Sequence, residues 1–189
     1  MNTKSICALI AAAAIAAGCA SSPAPRFFRL APGAEAAQET SSRAVIVGPF
    51  QLADYLDRPQ IVTRDGANAV TVADFDRWAE PLDANFQWVV AANVGRLLGS
   101  DHVLEFPAQA IIKPDRRVTG RVSRLDVDAQ GLAVLEVQWG VLNGDGTVAQ
   151  PGRRSRYEAQ ASGDGYGDLV AAMNTAVERF SEDVAAAVK

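Results

Sequence analysis

Between Arg116 and Ala161 the chain alternates apolar and polar residues in three consecutive runs, joined by short glycine-bearing turns. Side chains on a strand point to opposite faces with a period of two, so such runs read as half-buried β-strands. The run Leu132–Val141 places Ala133, Leu135, Val137, Trp139 and Val141 on one face. Arg154–Ala161 turns Ser155, Tyr157, Ala159 and Ala161 inward and leaves Arg154, Arg156, Glu158 and Gln160 outward. In Arg116–Asp128, however, Val118 and Val122 share one parity while Leu125 and Val127 take the other. One inserted residue restores a common face, which predicts a β-bulge near Ser123-Arg124. Ala129-Gln130-Gly131 and Asn143-Gly144-Asp145-Gly146 are the expected turns, and the three strands form an antiparallel meander.

A one-sided sheet needs a cover, and two segments have the spacing to supply it. Across Asp83–Leu98 and its approach, Leu82, Phe86, Val89, Val90, Asn93, Val94 and Leu97 follow helical steps. Asp83 suits the first turn or the cap, and Gly99 suits the residue just past the end. From about Gly167 to Val188, Leu169, Met173, Ala176, Val177, Phe180, Val184 and Val188 form a second stripe. Asp168 and Lys189 complement that helix's dipole. Further strands are expected at Arg26–Leu30, Ala44–Val47 and His102–Phe106, and a hairpin at Gln60–Arg64 and Ala69–Val72 around Asp65-Gly66-Ala67-Asn68. Ala31–Ser42 is expected to be a loop. The fold class is therefore α+β, a mostly antiparallel or mixed sheet with two amphipathic helices packed on one face.

The N-terminus reads differently. Lys4 precedes an uncharged apolar run from Ile6 to Ala17, the arrangement of a secretory signal. The run is shorter than the roughly 20 residues that a membrane span needs. It closes on Ala16-Ala17-Gly18-Cys19, which resembles the lipobox of bacterial lipoproteins, although Ala16 stands where leucine is usual. An ordinary signal cut at the same small residues is the alternative. The expected organisation is a leader over 1–18, a lipidated tether over 19–25 that begins at Cys19, and one periplasmic domain over 26–189. Cys7 and Cys19 are the only cysteines, and Cys7 would leave with the leader. No disulfide is then expected, although the periplasm permits them. Acyl chains such as palmitate on Cys19 contribute about 0.8 kcal/mol per buried methylene, so two or more hold a protein on a membrane. Ala20 and Ser21 follow Cys19 where an aspartate would signal inner-membrane retention in enterobacterial-type sorting, so the outer membrane is the expected destination.

Composition narrows function mainly by exclusion. The formal net charge of −4 argues against a nucleic-acid binder, which shows a clustered basic face. The single histidine, His102, lacks a mature cysteine nucleophile. Asp74-Phe75-Asp76, Asp126-Val127-Asp128 and Asn143-Gly144-Asp145-Gly146 lack metal-ligand spacing. Gly163-Asp164-Gly165-Tyr166-Gly167 lacks a P-loop lysine, and no Gly-x-Ser-x-Gly elbow occurs. No cofactor and no catalytic residue is expected. A different signal lies in Gly48–Pro81, where Tyr55, Arg58, Pro59, Arg77, Trp78 and Glu80 gather in loop-like context. Tyr, Trp and Arg are the residues enriched at interface hot spots. The plain alternative is that Tyr55 and Trp78 cover the sheet edge while Arg58 pairs with an acid such as Glu80.

The same residues carry a family likeness. Leu-x-x-Tyr-Leu-Asp-Arg-Pro-Gln-Ile-Val over 52–62 and Phe-x-Arg-Trp-Ala-Glu-Pro-Leu over 75–82 resemble the signatures of ABC-transport auxiliary lipoproteins, the group that includes paraquat-inducible protein C. The likeness runs from the lipobox, through Phe27-Phe28-Arg29-Leu30, to the last helix. It implies a non-enzymatic outer-membrane lipoprotein that serves an MCE-type (mammalian cell entry) intermembrane lipid transporter. Its partners would be an MCE-domain protein that spans the periplasm and the inner-membrane ABC transporter complex. The motif residues Tyr55, Arg58, Pro59, Arg77, Trp78 and Glu80 would form the partner surface. A domain that meets a symmetric tunnel can itself form a ring, a homo-oligomer that composition neither requires nor forbids. The competing expectation is a periplasmic carrier that holds a phospholipid between sheet and helices; Phe86, Leu97, Met173, Val177 and Phe180 look sufficient to fill that space.

Overall fold

A computed structural model describes residues 23–34, 41–108 and 111–189. The leader, Cys19, the start of the tether and residues 35–40 of the expected loop lie outside the described residues. In chain order the elements are β1 (Arg26–Phe28), β2 (Val45–Leu52), β3 (Gln60–Asp65), β4 (Ala69–Trp78), α1 (Leu82–Leu98), β5 (Val103–Glu105), β6 (Arg116–Asp128), β7 (Leu132–Asn143), β8 (Val148–Gln160) and α2 (Tyr166–Val188).

The expected meander is present: β6 pairs antiparallel with β7, and β7 with β8. The β6–β7 register shifts between Val122 and Arg124, where the parity switch predicts a bulge. Because of that extra residue Val118, Val122, Leu125 and Val127 all reach one core, each at most 1% exposed.

The opposite edge of β6 is shared by two strands. β2 runs parallel to its first half, from Val45 beside Arg116 to Leu52 beside Val122. β3 runs parallel to its end, with Thr63 beside Val127 and Arg64 beside Asp128. Past this fork the sheet has two arms. β5 extends it beyond β2 in parallel, while β4 pairs antiparallel with β3 and carries β1 in parallel at its far edge. The sheet is thus mixed; its long ladders are antiparallel, and four short ones are parallel.

Three strands run well past the sequence pattern. β2 continues through Gly48-Pro49 to Leu52, beyond the expected end at Val47, because its second half still pairs with β6. β4 continues to Trp78, so Phe75–Trp78 is strand and not loop. Its register against β3 jumps between Gln60 and Val62, and at the strand's end Arg77 lies between Gln60 of β3 and Phe27 of β1. β8 begins at Val148, ahead of the expected Arg154; Pro151 falls where the β7–β8 register breaks, so its missing N–H interrupts no regular ladder.

Both helices lie on one face of the sheet. α1 starts after Pro81 with Asp83 in its first turn, and Gly99 closes it at φ 61°. That left-handed conformation suits glycine, and the N–H groups of Gly99 and Ser100 satisfy the carbonyls of Arg96 and Gly95. The buried α1 face ends on Leu98, with Leu97 only half-buried. Asn93, fully buried on that face, accepts from Gly33 N–H at 2.9 Å and donates to Ser181 Oγ of α2 at 3.3 Å. Arg96 and Glu178 pair across the two helices at 2.7 Å.

Aromatic rings fill the layer between helices and sheet. Phe180 of α2 is fully buried, with ring centroids at 5.8 Å from Phe50, 5.9 Å from Phe86, 5.4 Å from Trp139 and 5.8 Å from Tyr157. The space in which a carrier would hold acyl chains is occupied by side chains.

Candidate partner-docking site

The site begins where β2 leaves the sheet. Ala53 N–H still donates to Val122 O at 2.9 Å, and then the chain turns out at the fork. Leu56 N–H returns to Ala53 O at 2.8 Å, Asp57 N–H to Asp54 O at 3.2 Å, and Arg58 N–H to Leu56 O at 2.9 Å. This compact turn is anchored from beneath by Leu56, 2% exposed in the core. Its far end is fixed when Trp78 N–H donates to Pro59 O at 2.6 Å. Next along the chain, Ala79 N–H donates to Phe28 O at 2.7 Å, which joins the end of β4 to β1.

Tyr55 of this turn points to a buried carboxylate. Its hydroxyl donates to Asp126 Oδ2 at 3.0 Å. Asp126 is wholly buried and also accepts from Arg64 Nη2 at 3.0 Å and Arg124 Nε at 2.7 Å. One carboxylate thus takes two guanidiniums and a phenol, which satisfies a charge that would be costly to bury alone. Burial, with the Asp126 charge and hydrogen bond beside it, pushes the Tyr55 hydroxyl up to about 12. The Asp126 hydrogen bond raises the Arg64 guanidinium above its ordinary value. This network is the part of the site that motif reading misses. Its one sequence signal is an aspartate between Leu125 and Val127 in an otherwise apolar-patterned strand.

Arg58, Pro59, Trp78 and Glu80 come together around one pocket of about 340 Å³, completed by Asp57, Ala79, Pro81 and Leu82. Trp78 is 6% exposed and belongs to the core, so it forms the floor of the pocket and does not cover an edge. Glu80 pairs with Arg29 at 3.5 Å and not with Arg58; the Arg29 guanidinium also lies 4.8 Å over the Trp88 ring. Arg58 is exposed and makes no ion pair among the described residues. Arg77 alternates with Trp78 on β4 and so faces the other side of the sheet, with its Nε buried and lacking a hydrogen-bond partner. Of the six motif residues, four share the pocket, Tyr55 braces it from behind, and Arg77 stands apart.

His102 is exposed just ahead of β5. Among the described residues no three His, Cys, Asp or Glu side chains converge as a metal site, and no helix is long and apolar enough to cross a membrane.

A family model described as the ABC-type transport auxiliary lipoprotein component matches residues 28–185. Among solved structures, the fold is similar to that of an uncharacterized protein, with a TM-score of 0.72 at 20% identity, over 88% of this chain and 100% of that one. It is also similar to XCC0632 from Xanthomonas campestris, with a TM-score of 0.63 at 19% identity, over 86% of this chain and 91% of that one. No curated protein matches the chain.

Proposed function

The chain belongs to the family of ABC-type transport auxiliary lipoproteins, and from that membership we propose that it acts as a docking component in an intermembrane lipid transport system. In this reading Cys19 carries the acyl anchor in the outer membrane. The folded domain receives the end of an MCE-domain protein whose ABC transporter sits in the inner membrane. The pocket around Trp78 is the contact, and the chain performs no chemistry of its own.

The observation that carries the reading is the bracing of the 53–59 turn. Leu56 in the core, Tyr55 on Asp126 and Pro59 O on the Trp78 N–H hold it in one shape. Arg58 is thereby presented, exposed and without an ion pair among the described residues, at a pocket that Trp78 and Glu80 also line. A turn whose backbone is already fixed loses little backbone entropy on binding, and an arginine beside an aromatic pocket is the composition of a hot spot. The filled layer between sheet and helices favours docking over the phospholipid-carrier reading.

The test is co-purification of the full-length lipoprotein with an MCE-domain protein encoded beside it. Arg58→Glu reverses an exposed charge without touching the core. It is expected to weaken recovery of the partner at least tenfold while circular dichroism stays that of the wild type. Trp78→Ala is a poorer probe, because it also removes a core residue. If Arg58→Glu and Pro59→Gly both retain the partner fully, docking at this pocket is wrong. Stoichiometric phospholipid in mass spectra of the purified protein would favour the carrier reading instead.

A further inference from the structure

Six large hydrophobic side chains are exposed among the described residues: Phe27, Val70, Phe75, Trp88, Ile111 and Val148. Three of them, Phe27, Val70 and Phe75, lie on the β1–β4 arm of the fork. They share a face. Phe27 lies opposite Arg77, and Phe75 precedes Arg77 by two residues, so the two phenylalanines are diagonal neighbours. Trp78 points into the core, which puts Phe75 and Arg77 on the helix-free side. Val72 and Val70 lie opposite Val62 and Arg64. Ile61 and Ala73 point into the core, so these valines are on the helix-free side as well. The register jump in β4 brings residues of both parities onto one apolar strip: Phe27, Phe75, Val72 and Val70.

The strip adjoins the point where the chain arrives from Cys19. Arg26 opens β1 at the outer edge of the sheet, seven residues after Cys19. A fully extended chain covers at most about 3.6 Å per residue, so Arg26 lies within about 25 Å of the cysteine. The intervening Ala20–Pro25 has no charged residue to repel an apolar boundary. Four side chains fall short of the roughly 1,200–2,000 Å² that a standard protein interface buries. Phenylalanines beside cationic residues are, by contrast, the composition of surfaces that seat shallowly at the headgroup boundary; on this face Arg77 stands beside both phenylalanines and makes no ion pair among the described residues.

We propose that the helix-free face of the β1–β4 arm, with Phe27 and Phe75 as its points of insertion, rests on the lipid bilayer that holds the Cys19 anchor. The inference rests on the lipoprotein reading of Cys19. It adds an orientation: the sheet lies toward the membrane at this edge, and α1 and α2 face the aqueous side.

The mature chain has no cysteine other than Cys19, so a single nitroxide can be placed cleanly. The acylated full-length protein, carrying Phe27→Cys, Phe75→Cys or Val148→Cys, is reconstituted into vesicles of phosphatidylethanolamine and phosphatidylglycerol. Power saturation then compares collision with lipid-soluble oxygen and with a water-soluble nickel chelate. Labels at 27 and 75 are expected to show an oxygen-to-nickel accessibility ratio at least threefold above that at 148. Equal ratios at all three positions overturn the proposal. Loss of both oxygen and nickel access at 27 and 75 marks burial against protein and overturns it too. Mass spectrometry of the same samples reports acylation separately. An unmodified Cys19 would refute the lipoprotein reading and the seating with it, whereas an acylated Cys19 with water-exposed labels refutes the seating alone.

Discussion

Replacing Asp126 by asparagine tests whether the site is braced from within. The carboxylate is fully buried and accepts from Tyr55 at 3.0 Å, from Arg64 at 3.0 and 3.2 Å, and from Arg124 at 2.7 Å. An asparagine side chain would keep the shape but not the charge, and its amide nitrogen would meet donors where an acceptor is needed. Removing one member of a buried ion pair costs about 3–5 kcal/mol. Arg64 and Arg124 keep side-chain exposures of 19% and 16%, so water relieves part of their lost pairing. The lower end, about 3 kcal/mol, is therefore expected. For a domain of this size that lowers Tm by roughly 6–12 °C. Urea denaturation followed by tryptophan fluorescence measures it, and an unchanged m-value would confirm that the loss lies in the folded state. Combining Asp126→Asn with Tyr55→Phe should cost less than the sum of the single changes, by about 1 kcal/mol, because both break the same bond. A cost below about 1 kcal/mol for Asp126→Asn, or strict additivity, would refute the bracing argument.

Two further outcomes follow from the same geometry. Phe180→Ala empties the centre of the aromatic layer and should cost about 4 kcal/mol in chemical denaturation; a loss below about 1 kcal/mol would mean that the layer is not packed as described. The Tyr55 hydroxyl stands at about 12 in the fold against about 10 in the unfolded chain. Its contribution is whole below pH 10 and is lost as pH rises from 10 to 12, because the unfolded chain ionises first. Discounted for its partial exposure, that contribution is about 1 kcal/mol, and Tyr55→Phe should flatten the alkaline limb of a stability–pH curve by that amount.

Local pattern carried much of the fold. The parity switch in Arg116–Asp128 located a bulge, and Gly99 located a helix end, because each signal is complete within a few residues. Partnership was not legible in the same way. The unbroken apolar run Val45–Val47 says that both faces are buried, but not that its neighbours are the distant Val103–Glu105 and Arg116–Val118, both parallel. Phe75–Trp78 read as loop because Asp74, Asp76 and Arg77 interrupt its apolar character; the strand exists because β1 pairs with it and Arg26 neutralises Asp76 at 2.6 Å. The motif residues were visible as a cluster, yet their division of labour was not. Whether Tyr55 reaches outward or inward depends on Asp126, 71 positions away.

The fork in the sheet gives the docking turn an unusual independence. β2 and β3 lie end to end on the same edge of β6, and the bulge after Val122 separates the two registers. Residues 53–59 therefore form a detour between two fixed points of one rail. Between those points it is tied to the rest of the fold by Leu56 in the core, Tyr55 on Asp126 and Pro59 O on the Trp78 N–H. In such an architecture the recognition segment carries its own anchors, and strain imposed on it by a partner need not travel into the ladders on either side.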